Sequence, residues 1–219
     1  VQSQEDMLWR ATRDWDGERR LGGEALDVGC GLGGTSLFLA AELGANVTAL
    51  SPVPRHLEWV ARFAAQAGVG ARVHPLYGDA HALDGLGSFD AALSFGATTY
   101  FDRDAYFRGL QRIIRPGGWV FIEDTFLGRA EFAEPFNRYW TSNIGWPSEY
   151  DEVARRHGFA PVACVDVSAE AAGFWGSASP IPSGCWPTMR ATKSGCADRS
   201  TGSRASPAPI STAGCATCS

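Results

Sequence analysis

Residues 25–44 read ALDVGCGLGGTSLFLAAELG, an apolar run that passes through glycines straight into an alanine- and leucine-rich stretch. The first part fits a buried strand and the last has helical spacing, so the segment reads as strand, tight turn, helix. Glycine is needed where a backbone bends sharply or lies against a ligand, because a Cβ would block the approach. Gly29, Gly31 and Gly33 hold those positions. The helix that follows, starting near Thr35, turns its free N–H groups and positive dipole end toward the glycines, which favours a negative or polar ligand group there.

Working outward, the same alternation repeats. Strand-like runs occur at 46–50 (NVTAL), 72–76 (RVHPL), 89–95 (FDAALSF), 118–124 (GWVFIED) and 161–167 (PVACVDV). Helical spacing fills 35–43, 55–67, 104–114 and 149–157, with Gly44, Gly68 and Gly158 closing three of these runs as left-handed C-caps do. Parallel strands need a crossover that packs back on the sheet, so the pattern predicts an α/β fold: a Rossmann-like three-layer sandwich with a mostly parallel sheet. The RPGG of residues 115–118 reads as a turn launching the fifth strand.

Gly29, Gly31 and Gly34 also satisfy GxGxxG, so the loop alone fits more than one nucleotide cofactor. A NAD site calls for an acid about 20 residues on, at the end of the second strand. Ser51 stands there, which removes the main support for a NAD-dependent oxidoreductase.

On these residues the chain resembles the class I S-adenosylmethionine (SAM)-dependent methyltransferases, whose first motif sets an acid two residues before a GxGxG loop. Asp27, Gly29, Gly31 and Gly33 match it, and the likeness continues at Gly78-Asp79-Ala80, at FDAALS and at Arg115-Pro116-Gly117-Gly118. Over roughly residues 20–170 it is similar to the small-molecule group that includes tocopherol, sarcosine and natural-product sugar methyltransferases. The resemblance implies SAM as cofactor and methyl transfer to an O, N or C atom of a small-molecule acceptor, with natural-product biosynthesis as the setting. It implies a cofactor site of Asp27, Gly29, Cys30, Gly31, Gly33, Ser51, His56, Asp79, Ala80 and Ser94. In it Ser51 takes the ribose role usually held by an acid or hydroxyl residue, and Asp79 accepts a hydrogen bond from the adenine amino group. A NAD-dependent oxidoreductase and a degenerate, non-catalytic SAM-binding domain are the alternatives.

Methyl transfer needs the acceptor atom in line with the S–CH3 bond, and a base only where a proton must leave. Relatives with a His pair after the fourth strand use one as base; here the residues are Thr98-Thr99-Tyr100. Tyr100, Glu123 and Asp124 fall at the carboxyl ends of strands four and five, where open α/β sheets bind ligands. Of these, Tyr100 and Asp124 are the expected catalytic residues. The long segment 125–150 carries Phe126, Phe132, Phe136, Tyr139, Trp140 and Trp146. Two readings of it stand together: aromatic walls for an acceptor, and a buried helical stripe of Phe132, Phe136 and Trp140.

With 219 residues and 45% apolar content the chain suits one core, and a net charge of -5 supplies no field for nucleic acid. No apolar run reaches membrane-spanning length, so no membrane partner and a cytoplasmic location are expected. No disulfide framework is expected either. The methyltransferase domain is assigned to residues 1–175. From Gly176 the text turns to Ser, Pro, Gly, Ala and Cys without period, so 176–219 are expected to be irregular or disordered, and no candidate for a seventh strand follows Val167. Cys185, Cys196, Cys215 and Cys218 match no compact zinc spacing, and no metal is expected. A reading-frame shift in a GC-rich gene near Trp175 would produce so abrupt a change. Translating the alternative frame beyond that codon tests this, and finding no Val- and Leu-rich strand there would refute it.

Overall fold

The computed structural model describes residues 2–14, 16–168 and 184–191. Five strands, β1 (Glu24–Val28), β2 (Asn46–Ser51), β3 (Val73–Tyr77), β4 (Phe89–Phe95) and β5 (Ile114–Thr125), pair in parallel. With β6 (Phe159–Asp166) and β7 (Gly184–Ala191) they make one sheet in the order β3-β2-β1-β4-β5-β7-β6 among the described residues. Central β4 is buried on both faces apart from its rims, as parallel strands covered by helices must be.

Helices α1 (Gln2–Asp14), α2 (Gly17–Leu21), α3 (Gly34–Glu42) and α4 (Pro54–Gln66) pack with one sheet face. Leu8, Leu21, Phe38 and Val60 meet Ala25, Val47, Leu93 and Phe121 there. The opposite face takes α5 (Arg103–Ile113) and α7 (Pro147–Arg156), through Tyr106, Phe107, Leu110 and Tyr150 against Leu26, Ala92, Val120 and Ile122. Alternation along β5 therefore sends Phe121 to one layer and Val120 and Ile122 to the other. In α5, Asp102 caps the first turn by accepting the Ala105 N–H at 2.8 Å. Its buried Tyr106, Phe107, Leu110 and Ile113 form one stripe, and full burial of Phe107 or Leu110 contributes about 2–3 kcal/mol each.

Several expectations are corrected. A seventh strand does exist: β7 pairs antiparallel with β5 (Phe121 with Thr188) and with β6 (Val165 with Trp186). Pro187 within it and its lack of Val, Ile or Leu hid it from pattern reading; pairing with strands far away in sequence supplies what local propensity does not. Residues 184–191 are thus ordered as a strand inside the expected irregular tail, while Cys196, Cys215 and Cys218 lie outside the described residues. The RPGG segment turns back within β5, with Gly117 at φ +83°, and interrupts the pairing with β4 rather than preceding the strand. Phe89 pairs with Ile114 and Ala91 with Trp119, so residues 115–118 bow out opposite Asp90 alone. Helix α6 (Ala133–Trp140) forms, but none of its residues is buried. The stripe of Phe132, Phe136 and Trp140 is amphipathic in sequence yet lies at the rim, not on the sheet. Cys164 is disulfide-bonded, although the sequence gives no reason to expect a disulfide framework.

Candidate functional site

The strand order reverses between β1 and β4, which are neighbours although β2 and β3 separate them in sequence. Chains leaving these two strands diverge and open a crevice at their carboxyl ends. The glycine loop sits there. The N–H groups of Gly29 and Cys30 both donate to Leu50 O at 3.0 Å, tying the loop to the end of β2. Gly29 has φ +80°, and a Cβ on it would lie 2.6 Å from Ala97 Cβ. Gly33 has φ +90° and would drive a Cβ to 2.9 Å from Val60 Cγ2. Both positions therefore require glycine. Gly31 instead faces open space, with nothing within 4 Å of its would-be Cβ. Gly33 is the N-cap of α3 and offers no side chain to the helix's first N–H groups, so a ligand at the loop meets a helix end without its own side-chain cap.

Asp27 is 1% exposed and does not open onto the crevice. Its Oδ2 accepts the Ser36 hydroxyl at 2.6 Å, which joins β1 to the first turn of α3. Burial pushes its carboxyl up to about 6, against the opposing effect of the Ser36 hydroxyl and N–H. Asp27 is the loop's strut, and the sign of its contribution follows. The folded chain holds this proton more tightly than the unfolded one. Stability from the group is therefore full below its ordinary value of 3.8 and is lost as pH rises through about 6. Asp27→Asn, which keeps an acceptor for Ser36, is expected to raise unfolding stability at neutral pH by up to about 3 kcal/mol. Urea titrations should also show a flatter stability profile between these two pH values; an unchanged profile would contradict a dry Asp27. The neighbouring Cys30 thiol is pushed up to about 12 by burial and by Asp27, so it stays protonated and unreactive.

At the end of β2, Ser51 is buried and its Oγ accepts the Val53 N–H at 3.2 Å while lying 3.2 Å from His56 Nδ1. The expected pair is therefore in contact. After β3, Asp79 Oδ1 accepts the His81 N–H at 2.8 Å and lies 2.7 Å from His81 Nδ1. His81 Nε2 accepts the Asp102 N–H at 2.8 Å, which leaves Nδ1 as the ring's proton-bearing nitrogen when neutral. His81 was not among the expected site residues. The Asp-x-His spacing is its signal, and the structure makes it the group that holds Asp79 and ties it to the cap of α5. Ala80 is buried beside them.

Ser94 is turned inward: its Oγ donates to Val28 O at 3.2 Å and pairs with Tyr106 OH at 2.8 Å. It bridges β1, β4 and α5 at the switch point. Asp124 is buried with both oxygens occupied. Oδ2 accepts the Thr98 hydroxyl (2.7 Å) and the Thr99 N–H (3.0 Å), and Oδ1 accepts the Thr125 N–H (2.7 Å). Burial raises its pKa against these donors. Sequence reasoning passed over Thr98 and Thr99, whose part is to receive this carboxylate. Tyr100 is 49% exposed at the end of their 3-10 turn (Thr98–Tyr100), and partial burial and Asp124 raise its hydroxyl. Segment 126–146 is stapled to the same turn by the Asn143 N–H donating to Thr99 O at 2.6 Å. It leaves Tyr139 77% exposed and Trp140 and Trp146 each 36% exposed at this edge.

Of the expected cofactor residues, Asp27, Gly29, Cys30, Gly31, Gly33, Ser51, His56, Asp79 and Ala80 lie at or just beyond the ends of the contiguous strands β1, β2 and β3, whereas Ser94 lies on β4 and is turned inward; the expected catalytic pair, Tyr100 and Asp124, follows β4 and β5. Residues 25–118 match a family model described as a methyltransferase domain. Tocopherol O-methyltransferase of Arabidopsis thaliana is 25% identical over 78% of this chain and 53% of its own length. The 2-methyl-6-phytyl-1,4-hydroquinone methyltransferase of Synechocystis is 34% identical over 57% of this chain and 39% of its own. The chain thus spans about half or less of these curated relatives. The structure of geranyl diphosphate C-methyltransferase from Streptomyces coelicolor, in complex with S-adenosyl-L-homocysteine, superposes with TM-score 0.69 at 17% identity, covering 78% of this chain and 76% of that one.

Proposed function

We infer, from the methyltransferase domain carried by residues 25–118, that this chain transfers a methyl group from SAM to a small-molecule acceptor. The observation that carries the reading is the loop at the β1/β4 switch point, closed to any side chain at Gly29 and Gly33 and open at Gly31. The groups present suit SAM: the α3 end for its polar parts, Ser51 with His56 for the ribose, and Asp79 as acceptor for the adenine amino group. When bound, SAM supplies an electrophilic methyl on a sulfonium. The chain's own task is to orient the acceptor at the ends of β4 and β5 and to exclude water, since placement alone can supply much of the acceleration.

An apolar acceptor is favoured by the exposed aromatic edge of Tyr100, Tyr139, Trp140 and Trp146 and by the tocopherol and hydroquinone substrates in the relatives' names. Natural-product biosynthesis and a cytoplasmic place belong to the same reading; no helix among the described residues is long and apolar enough to cross a membrane. Calorimetric titration with SAM, S-adenosylhomocysteine and NADH tests it. Binding of NADH in place of the other two would overturn it, and binding without turnover over a panel of acceptors would leave a SAM-binding domain. His81→Ala, which frees Asp79, is expected to weaken SAM about fivefold, the worth of about one hydrogen bond's positioning. An unaltered dissociation constant would remove His81 from the site.

A further inference from the structure

A cavity of about 20 Å³ lies between α1, α2, α3 and the ends of β4 and β5. Leu8, Leu21, Phe38, Leu93 and Phe121 are among its walls, and Thr12, Ser94 and Glu123 are its polar groups. Thr12 spends its hydroxyl on the carbonyls of Leu8 and Trp9 in its own helix, at 3.1 and 2.8 Å. Ser94 is committed to Val28 and Tyr106. Glu123 alone keeps its carboxyl unspent, with no hydrogen-bond partner among the described residues. Space of this size holds one oxygen-sized group. The cavity wall is almost wholly apolar, and of the described polar residues that line it Glu123 is the one whose carboxyl can accept a further hydrogen bond.

Resting on the methyltransferase reading, we propose that Glu123 receives the proton of a hydroxyl-bearing, predominantly apolar acceptor seated at the ends of β4 and β5 beneath α1. The acceptor's O–H bond breaks and its proton passes to a Glu123 carboxylate oxygen. The freed electron pair forms the new O–CH3 bond, and the S–CH3 bond breaks with its pair kept by sulfur. Water takes the proton from Glu123 afterwards. Burial, reinforced by Asp124 on the same strand, pushes the carboxyl up to about 8, which suits a base working near neutrality. The α1, α2 and α3 side chains in the cavity wall are uncharged. An ammonium acceptor would surrender its hydration there for one carboxyl, which disfavours amines. The acceptor's body needs more room than its oxygen, so the α1 wall of Leu8 and Thr12 must move outward to seat it.

The test uses the full chain, Glu123→Gln, Glu123→Leu and trimethylhydroquinone as probe. In carbon-13 NMR of the ligand-free protein, one glutamate carboxyl titrating near 8 should vanish in Glu123→Gln. With S-adenosylhomocysteine saturating, Glu123→Leu should weaken the probe about tenfold or more, the worth of one charge-assisted hydrogen bond, and leave S-adenosylhomocysteine affinity within about twofold. Glu123→Gln should lower kcat by about 10²- to 10³-fold and abolish its rise on the alkaline side. Full turnover in Glu123→Gln, equal probe binding in Glu123→Leu, a wild type that binds S-adenosylhomocysteine but not the probe, or methylation of sarcosine in its stead would each overturn the proposal. Failure of the wild type to bind S-adenosylhomocysteine at all would instead remove the methyltransferase reading, and this proposal with it.

Discussion

Gly29→Val is expected to lose SAM binding by at least about 100-fold and to unfold about 2–5 kcal/mol more easily, the combined cost of a left-handed non-glycine residue and an overpacked contact. The first part comes from the φ of +80°, a region that a β-branched residue resists most. The second comes from the 2.6 Å approach to Ala97 Cβ, with Phe101 behind it at 3.4 Å. Relief requires the loop to lift off Leu50, whose carbonyl holds Gly29 and Cys30, and so to leave the crevice. Gly29→Ala separates the causes, since it keeps the clash but not the branching. Circular dichroism and calorimetry on both variants suffice. A folded Gly29→Val protein with unaltered SAM affinity would show that the cofactor lies elsewhere.

Asp124→Ala is expected to cost about 2–4 kcal/mol. It strands the Thr98 hydroxyl and the Thr99 and Thr125 N–H groups, each worth about 1–3 kcal/mol when buried without a partner, less the relief of removing a buried carboxylate. The 3-10 turn bearing Tyr100 should loosen, and with it the Thr99 to Asn143 staple of the aromatic segment. Asp124→Asn still offers an acceptor oxygen to Thr98 or Thr99 and should recover most of the stability and most of kcat. A general base would behave otherwise: Asn would preserve stability and abolish turnover. Urea unfolding and kcat measured on the same pair of variants therefore distinguish a strut from a base.

The placement of the expected cofactor residues at the strand ends was legible because it is set locally. Glycines mark backbone that no other residue can follow, and Ser51, Asp79 and the loop each occupy the end of a strand that periodicity alone locates. The acceptor half was not legible to the same degree. Whether Asp124 or Glu123 has spare bonding capacity depends on Thr98, Thr99 and the alternation of β5, which sends the two adjacent acids into different layers. His81 reads from the sequence as a loop residue within reach of the adenine, and its part was not legible because its partners, Asp79 and Asp102, lie before and after β4. β7 escaped because Pro187 interrupts it and it has no run of Val, Ile or Leu, and its place is set by partners on β5 and β6.

The order β4-β5-β7-β6 also fixes a sequence of events on the ribosome. β6 emerges first but, among the described residues, has β7 as its one sheet neighbour, so it cannot join the sheet until residues 184–191 are available. Until then the edge of β5 stands open in the nascent chain, an unpaired template for any passing strand. Glycine-loop and switch-point geometry can be complete by then, whereas protection from aggregation is not. A stall that keeps residues 184–191 inside the ribosome should therefore lower the yield of folded protein more than one placed after they have emerged.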